Sequence, residues 1–420
     1  LLNKYNTFFK TKKNKKMKTK LLIVLAGLVA FVGCNKKTEI AKPAEDTGKV
    51  AFTVSFEAAP GVKAAKSTAI PKTSWENVKT LQFFLYDASK KVKYAYQTTS
   101  LPNTVGGKKT FTYTDVPVGT YTLVAVANAN PAQNVTTFVG GVEMTWNSFN
   151  VREKLVNTMF IKHKSGSFPS FVTMPSSNHA FVEPGEIFMD SKTGVTISNG
   201  NTTTVSDIKL KREVSMLRAR INVKDTDAGV HNTQDASDGV DWTKNVSIMV
   251  YRLPEHMLPM NGNDGGVSTN SNKNNILVAE GQLKTSDPDG TKYNPTKIIE
   301  GNFTMWNDII VFPNNNGRVD SNVSGNATVD RQYYIVVSAQ GKKDHVLADG
   351  TKLTAPTTIY WRGLAKGKFS PNIIREVNLT LKSGGQKEVP TEPGQEGTLI
   401  VEMGDPVAWN ANIQTEDITL

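Results

Sequence analysis

The chain has 420 residues and one cysteine, which excludes an internal disulfide and a cysteine-rich zinc site. Its formal charge of +11 points towards nucleic acid or a membrane only until the charges are located: residues 1–33 hold eight lysines and no acid, and the remainder is close to balanced, so nucleic acid is set aside as a partner. Gly, Asn, Thr and Ser are abundant and long amphipathic helical patterns are scarce, which predicts an all-β fold.

Residues 1–16 lack methionine and Met17 opens MKTKLLIVLAGLVAFVGC, so Met17 is read as the true start. Lys18 and Lys20 precede an apolar core from Leu21 to Val32. That core is too short for a bilayer span, which takes about 20 helical residues, and it has the layout of a signal peptide. Gly33 followed by Cys34 resembles a bacterial lipobox, with Phe31 where leucine is usual. The resemblance implies cleavage between Gly33 and Cys34 by signal peptidase II and a lipid on the Cys34 thiol. The plainer alternative is an ordinary signal peptide with an incidental cysteine. Residues 34–49 are polar and read as a tether between lipid and fold.

A first β-sandwich domain is predicted over 50–206. Val50, Phe52, Val54 and Phe56 alternate with small or polar residues, the mark of a strand with one buried face. Glu57 to Thr73 is a loop of small residues and prolines carrying Lys63, Lys66 and Lys72, exposed and easy to nick. Further strands are expected at Val78–Tyr86, Lys109–Thr114 and Tyr121–Asn128, with a tight turn over Asp115–Thr120. The run Pro117 to Asn128 resembles the strand pair of transthyretin-like sandwiches. A short helix is expected within Met144–Met159, starting near Asn147–Asn150.

A second sandwich is predicted over 207–382. Ile208 to Val223 is the longest strand signal, and its apolar parity switches midway, which predicts a bulge near Met216 and Leu217. Strands are also expected at Val246–Leu253, Ile276–Gln282, Asp308–Phe312, Gln332–Ser338, Ile359–Arg362 and Arg375–Leu381, separated by polar insertions. Residues 383–398 form a Gly/Pro/Glu linker, and 399–420 a tail. In that tail Leu399, Val401, Met403, Val407, Trp409, Ala411 and Ile413 share one parity, and Gly404-Asp405-Pro406 splits the run into two short strands. Such a strand folds back on its own domain or serves another molecule; the long linker argues for the second, because sheet neighbours are usually joined by short turns.

Nothing in the sequence carries catalysis, a metal or a cofactor. His163, His179, His231, His256 and His345 have no ligand spacing, and the turns at 261–265 and 287–290 lack the glutamate of a calcium loop. Trp75, Trp146, Trp242, Trp306 and Trp361 would serve a monomeric glycan-binding lipoprotein if exposed in a row, but core or rim packing is the commoner use.

The ordered set of lipobox, tether, first strand, cleavable loop, two sandwiches, linker and final strand resembles the type V pilins, the fimbrillin family of fimbrial stalk subunits. Three stretches carry the likeness: Val50 to Lys66, Lys211 to Val223 with Arg218, Ala219 and Arg220, and Ser370 to Leu381 with the linker and Val407-Ala-Trp409. The family implies a lipidated precursor at the outer membrane, a maturation protease that removes the first strand, and polymerisation when the tail of another copy fills the vacated groove, in support of adhesion. Relatives are cut after arginine, whereas the first arginine here is Arg152; Lys63, Lys66 or Lys72 is then the expected cleavage residue. An accessory tip or anchor subunit is the alternative within the family.

Cys34→Ala is expected to abolish fatty-acid labelling of the exported protein; undiminished labelling in gels of the mutant would remove Cys34 as the lipid site.

Overall fold

The computed structural model describes residues 46–56, 78–99, 108–222, 239–254, 256–259, 266–267, 274–280, 305–314, 333–365, 369–381, 383–390, 399–403 and 407–408. The first half contains β1 (Thr47–Phe56), β2 (Leu81–Tyr86), β3 (Val92–Thr98), β4 (Lys109–Pro117), β5 (Gly119–Ala127), β6 (Val135–Val139), β7 (Val142–Glu143), helix α1 (Ser148–Val151), β8 (Met159–His163), β9 (His179–Phe181), β10 (Phe188–Ile197) and β11 (Thr202–Arg212). The second half contains β12 (Ser215–Asn222), β13 (Val240–Asp241), β14 (Ser247–Tyr251), β15 (His256–Leu258), β16 (Gly266–Val267), β17 (Asn275–Glu280), β18 (Met305–Val311), β19 (Tyr333–Gly341), β20 (Thr357–Ala365), β21 (Ile373–Leu381), β22 (Leu399–Met403) and β23 (Val407–Ala408). The all-β expectation holds.

The N-terminal sheet has seven strands in the order β3-β2-β5-β10-β11-β1-β4. It curls so that β1 and β2, far apart in that order, meet across a core: the Phe52 and Phe83 rings lie edge to face at 4.6 Å. The β4–β5 turn is locked by Tyr121, whose hydroxyl donates to the carbonyls of Pro117 at 3.0 Å and Val118 at 3.1 Å. A Cβ on Gly119 would sit 2.7 Å from that hydroxyl, so the turn needs glycine there. The expected helix is a single turn, capped by the Asn147 side chain accepting from the Asn150 amide at 2.9 Å.

The chain then changes sheets. β11 ends at Arg212, and β12 begins at Ser215 in a second sheet ordered β18-β12-β21-β22. β12 pairs with β18 without a shift from Ser215↔Val311 to Ile221↔Met305, and in parallel with β21 from Met216↔Ile374 to Asn222↔Thr380. The bulge expected near Met216 and Leu217 is therefore absent. The parity switch comes from the crossing at Glu213-Val214, after which both faces of the strand are covered. Leu217, Ala219 and Ile221 enter a core with Ile248, Ile335 and Trp361, while Met216 enters another with Phe84 and Trp146.

On the Met216 side lie two buried arginines. Arg218 makes a two-pronged pair with its cross-strand neighbour Asp308, at 2.6 and 2.9 Å, and Arg220 reaches Glu376 on β21 at 3.1 Å. Arg212, at the crossing itself, is buried between Glu186 at 2.8 Å and Asn372 at 2.9 Å. Position 206 falls inside β11, and strands from both sides of it share sheets: β9 borders β17, and β15 extends β8.

Arg218→Ala leaves Asp308 without its counter-charge in a largely dry site and is expected to cost about 3–5 kcal/mol, read by denaturant unfolding. Arg218→Lys keeps a charge but loses the fork, and is expected to fall between the two.

Candidate functional site

The site of interest is the slot that β1 fills. β1 is an interior strand, parallel to β11 on one side and antiparallel to β4 on the other. Its register runs from Lys49↔Thr202 to Phe56↔Leu210, with a shift between Phe52 and Val54. Val50, Phe52 and Val54 are buried, as their alternation required, and Lys49 is exposed. Phe52 also lies 5.9 Å from the rings of both Phe111 and Tyr113. The strand is pinned at its start: the Lys49 amide donates to the Asn201 carbonyl at 2.8 Å, and Gly200 donates to Thr47 at 3.0 Å. A side chain at Gly48 would strike the Ser198 carbonyl.

Neighbouring strands sit about 4.8 Å apart, so lifting β1 out would open a gap roughly two spacings wide with unpaired ladder groups on both walls. The exposed floor would include Phe111 of β4 and Val205, Ile208 and Leu210 of β11, all in the same core as Phe52. Burial of three such side chains is worth roughly 5–9 kcal/mol.

The tail occupies a second edge. β22 pairs antiparallel with β21 from Leu381↔Leu399 to Val377↔Met403, and β23 follows with Ile374↔Val407. Leu399, Val401, Met403 and Val407 are therefore in ladders of their own chain, and the two strands are separated by 404–406, as the Gly-Asp-Pro step predicted. Of the two placements open from sequence, the structure has the tail folded back. The reason is local: without β22, β21 would end the sheet with an unpaired edge.

The stretch before the tail departs from a free leash. The Ser383 carbonyl accepts from the Trp361 indole at 2.7 Å, Tyr360 and Gln386 exchange backbone hydrogen bonds at 2.8 and 3.0 Å, and Val389 packs beside Tyr360. The Gly384 carbonyl accepts from the His345 ring nitrogen Nε2 at 2.8 Å, and a Cβ on Gly384 would collide with the Val346 carbonyl. Residues 383–390 are thus docked on their own domain.

Gly33, Cys34, Lys63, Lys66, Lys72, Trp409, Ala411 and Ile413 lie outside the described residues, as do the side chain of Phe56 and the turns at 261–265 and 287–290. Trp146 and Trp361 are buried, and Trp242 stacks on Trp361 at 5.5 Å, so these three form no exposed sugar platform. Trp75, the side chain of Trp306 and His231 are outside the description. His163 is stacked on Phe312 at 3.8 Å, and burial pushes its imidazole down to about 3, against a smaller pull from the Val182 backbone. It is a neutral core residue at physiological pH. Among the described residues no group of three or more His, Cys, Asp or Glu could hold a metal.

An all-β chain with several packed sheets, its first strand wedged into a sandwich and its last laid on a sheet edge, has the build of a fimbrial β-sandwich protein. Residues 44–337 match the family described as fimbrillin-A associated anchor proteins Mfa1 and Mfa2, and the chain belongs to that family. Among solved structures it is similar to a putative cell adhesion protein from Bacteroides eggerthii, at 11% identity over 87% of this chain and 97% of that one, with a TM-score of 0.45. It is also similar to a fimbrilin, FimA, from Porphyromonas gingivalis W83, at 14% identity over 86% of this chain and 97% of that one, TM-score 0.41. A third is the fimbrial anchor protein Mfa2 from Porphyromonas gingivalis, at 9% identity over 79% and 90%, TM-score 0.38. No curated protein matches the chain. The protein is type V fimbrillin-like, and its class is that of fimbrial subunits and their anchor or accessory proteins at the cell surface, with a structural or adhesive role.

Phe52→Ala is expected to destabilise the chain by about 3–5 kcal/mol in thermal or denaturant unfolding.

Proposed function

We propose that the chain is a structural subunit of a cell-surface fimbria, exported as a lipoprotein on Cys34 and assembled by exchange of strands between copies. The observation that carries this is the interior position of β1, which the stretch bearing Lys63, Lys66 and Lys72 follows in the sequence. An outer-membrane protease cutting after one of those lysines separates Val50, Phe52, Val54 and Phe56, with the lipid, from the body. The apolar parity of 399–413 matches what the vacated slot lacks, and the tail of another copy fills it, with Trp409 the largest anchor. The fold-back on β21 is, in this reading, a self-capped monomer that must release β22 and β23 before assembly.

A second reading has its own support. The matched family is described by its anchor proteins, and arginine is missing from the sequence between Cys34 and Arg152. An anchor keeps its lipid and β1, and only its neighbour's slot is filled.

The two readings part at the N-terminus of protein sheared from cells. A start after Lys63, Lys66 or Lys72 supports the polymerising subunit, and a start at lipidated Cys34 supports the anchor. Deletion of 398–420, or Trp409→Asp, is expected to leave a folded monomer and abolish polymers seen on detergent gels. Unfolding of the truncated chain would make the tail a fixed part of its own domain, and detergent-stable fibres without it would assign the donor elsewhere.

A further inference from the structure

The curl of the N-terminal sheet brings its two edge strands, β3 and β4, beside one another, and a cleft of about 440 Å³ lies between them. It is lined by Lys93, Tyr94 and Tyr96 of β3, Asp115 of β4, and Ser148 and Arg152 at α1. Thr47, at the start of β1, also lines it, and no residue of β22 or β23 does.

Two tyrosines, Tyr94 and Tyr96, line one wall, and Tyr113 of β4 packs against both. The rings of Tyr96 and Tyr113 are 4.5 Å apart, and Tyr94 and Tyr113 are 6.2 Å apart. Tyr94 and Tyr113 are partly buried and pack on the core, which fixes them, while Tyr96 is 44% exposed. Phe149, next to Ser148, is 91% exposed. A tyrosine in water at a strand edge offers a flat apolar face and a hydroxyl together. The rim is polar and carries both signs, with Lys93 and Arg152 basic and Asp115 acidic. Lys93 is held by both oxygens of Glu153 at 2.9 and 2.8 Å, with Asp87 at 3.7 Å, and Asp115 stands opposite on β4.

These features select among ligand classes. Phosphate or another strong anion asks for a clear excess of positive charge, whereas Lys93 is already paired with Glu153 and the carboxylate of Asp115 shares the lining with Arg152. An inserting apolar strand asks for apolar walls, and most of this lining carries charge or hydroxyl. A neutral sugar ring presents a C–H face to an aromatic wall and hydroxyls to a carboxylate and cations, and the cleft volume lies in the usual range for small-ligand sites, about 300–1,000 Å³. We infer that the β3–β4 cleft is a binding site for a neutral carbohydrate, with Tyr96 as the stacking platform and Asp115 as a hydroxyl acceptor. The site contains no residue of β22 or β23, but Thr47 of β1 lines it, so it is complete in the form that keeps β1.

The test uses the full chain on an array of short neutral oligosaccharides, with saturation-transfer NMR on any that bind. Tyr96→Ala and Asp115→Asn are each expected to weaken binding by about tenfold or more with the melting temperature unchanged, and Tyr96→Phe to retain it, because stacking needs the ring and not the hydroxyl. Absence of binding to every neutral oligosaccharide overturns the inference, as does binding that Tyr96→Ala leaves intact. A synthetic peptide of residues 399–413 runs alongside: if it binds and Tyr96→Ala abolishes its binding, the cleft is a strand-docking site and the carbohydrate assignment is wrong.

Discussion

The seating of β1 between β11 and β4 is the constraint on which the N-terminal half of this protein rests. Three alternating side chains fill a core that faces both ends of the same curled sheet, and Phe52 touches aromatic rings from β2 and β4 at once. The strand is parallel to β11 although the chain returns to that position only after a long excursion. Its partners are therefore all distant in sequence, and none can hold the sheet closed without it. A strand so placed is a keystone that local propensity alone would never specify.

The second half is tied to the first by charge as well as by apolar packing. Arg212, Arg218 and Arg220 follow one another along the chain through the crossing between sheets, and each meets a carboxylate from a different element. Arg212 joins Glu186 to Asn372, so one buried guanidinium links strands on either side of the crossing. Buried ion pairs add little net stability over apolar packing, but each fork accepts only one geometry. Their use at the crossing fixes the register of β12 between β18 and β21, where both faces of the strand are covered and apolar pattern alone says little about which way it lies.

Much of this was legible in the residues, and the failures have physical causes. The alternation of Val50, Phe52 and Val54, the short helix within Met144–Met159 and the division of the tail into two strands are local signals, and each appears where the sequence places it. The parity switch after Leu210 was misread because a bulge and a change of sheet leave the same trace: both exchange the side of the strand that meets the core. β3 gave no signal, since an edge strand written VKYAYQT puts lysine and tyrosine where a core strand would put aliphatics. β6 and β8 are short, and their sheet is completed by β15 from far along the chain. The docked stretch 383–390 has the composition of a linker, but what holds it is backbone hydrogen bonding to Tyr360 and Trp361, which composition does not report.

That docking sets a length scale. Gly384 is fixed against Val346 and Val389 against the Tyr360 cluster, so only eight residues separate the docked stretch from β22. Residues 391–398 reach about 27 Å when fully extended. Were the tail to leave β21, so short a span would act as a ruler, letting it reach only a surface that already abuts its own domain. Any fibre built through it would have its axial repeat dictated by the body of the subunit, and would be stiff at its joints where a long leash would have left it slack.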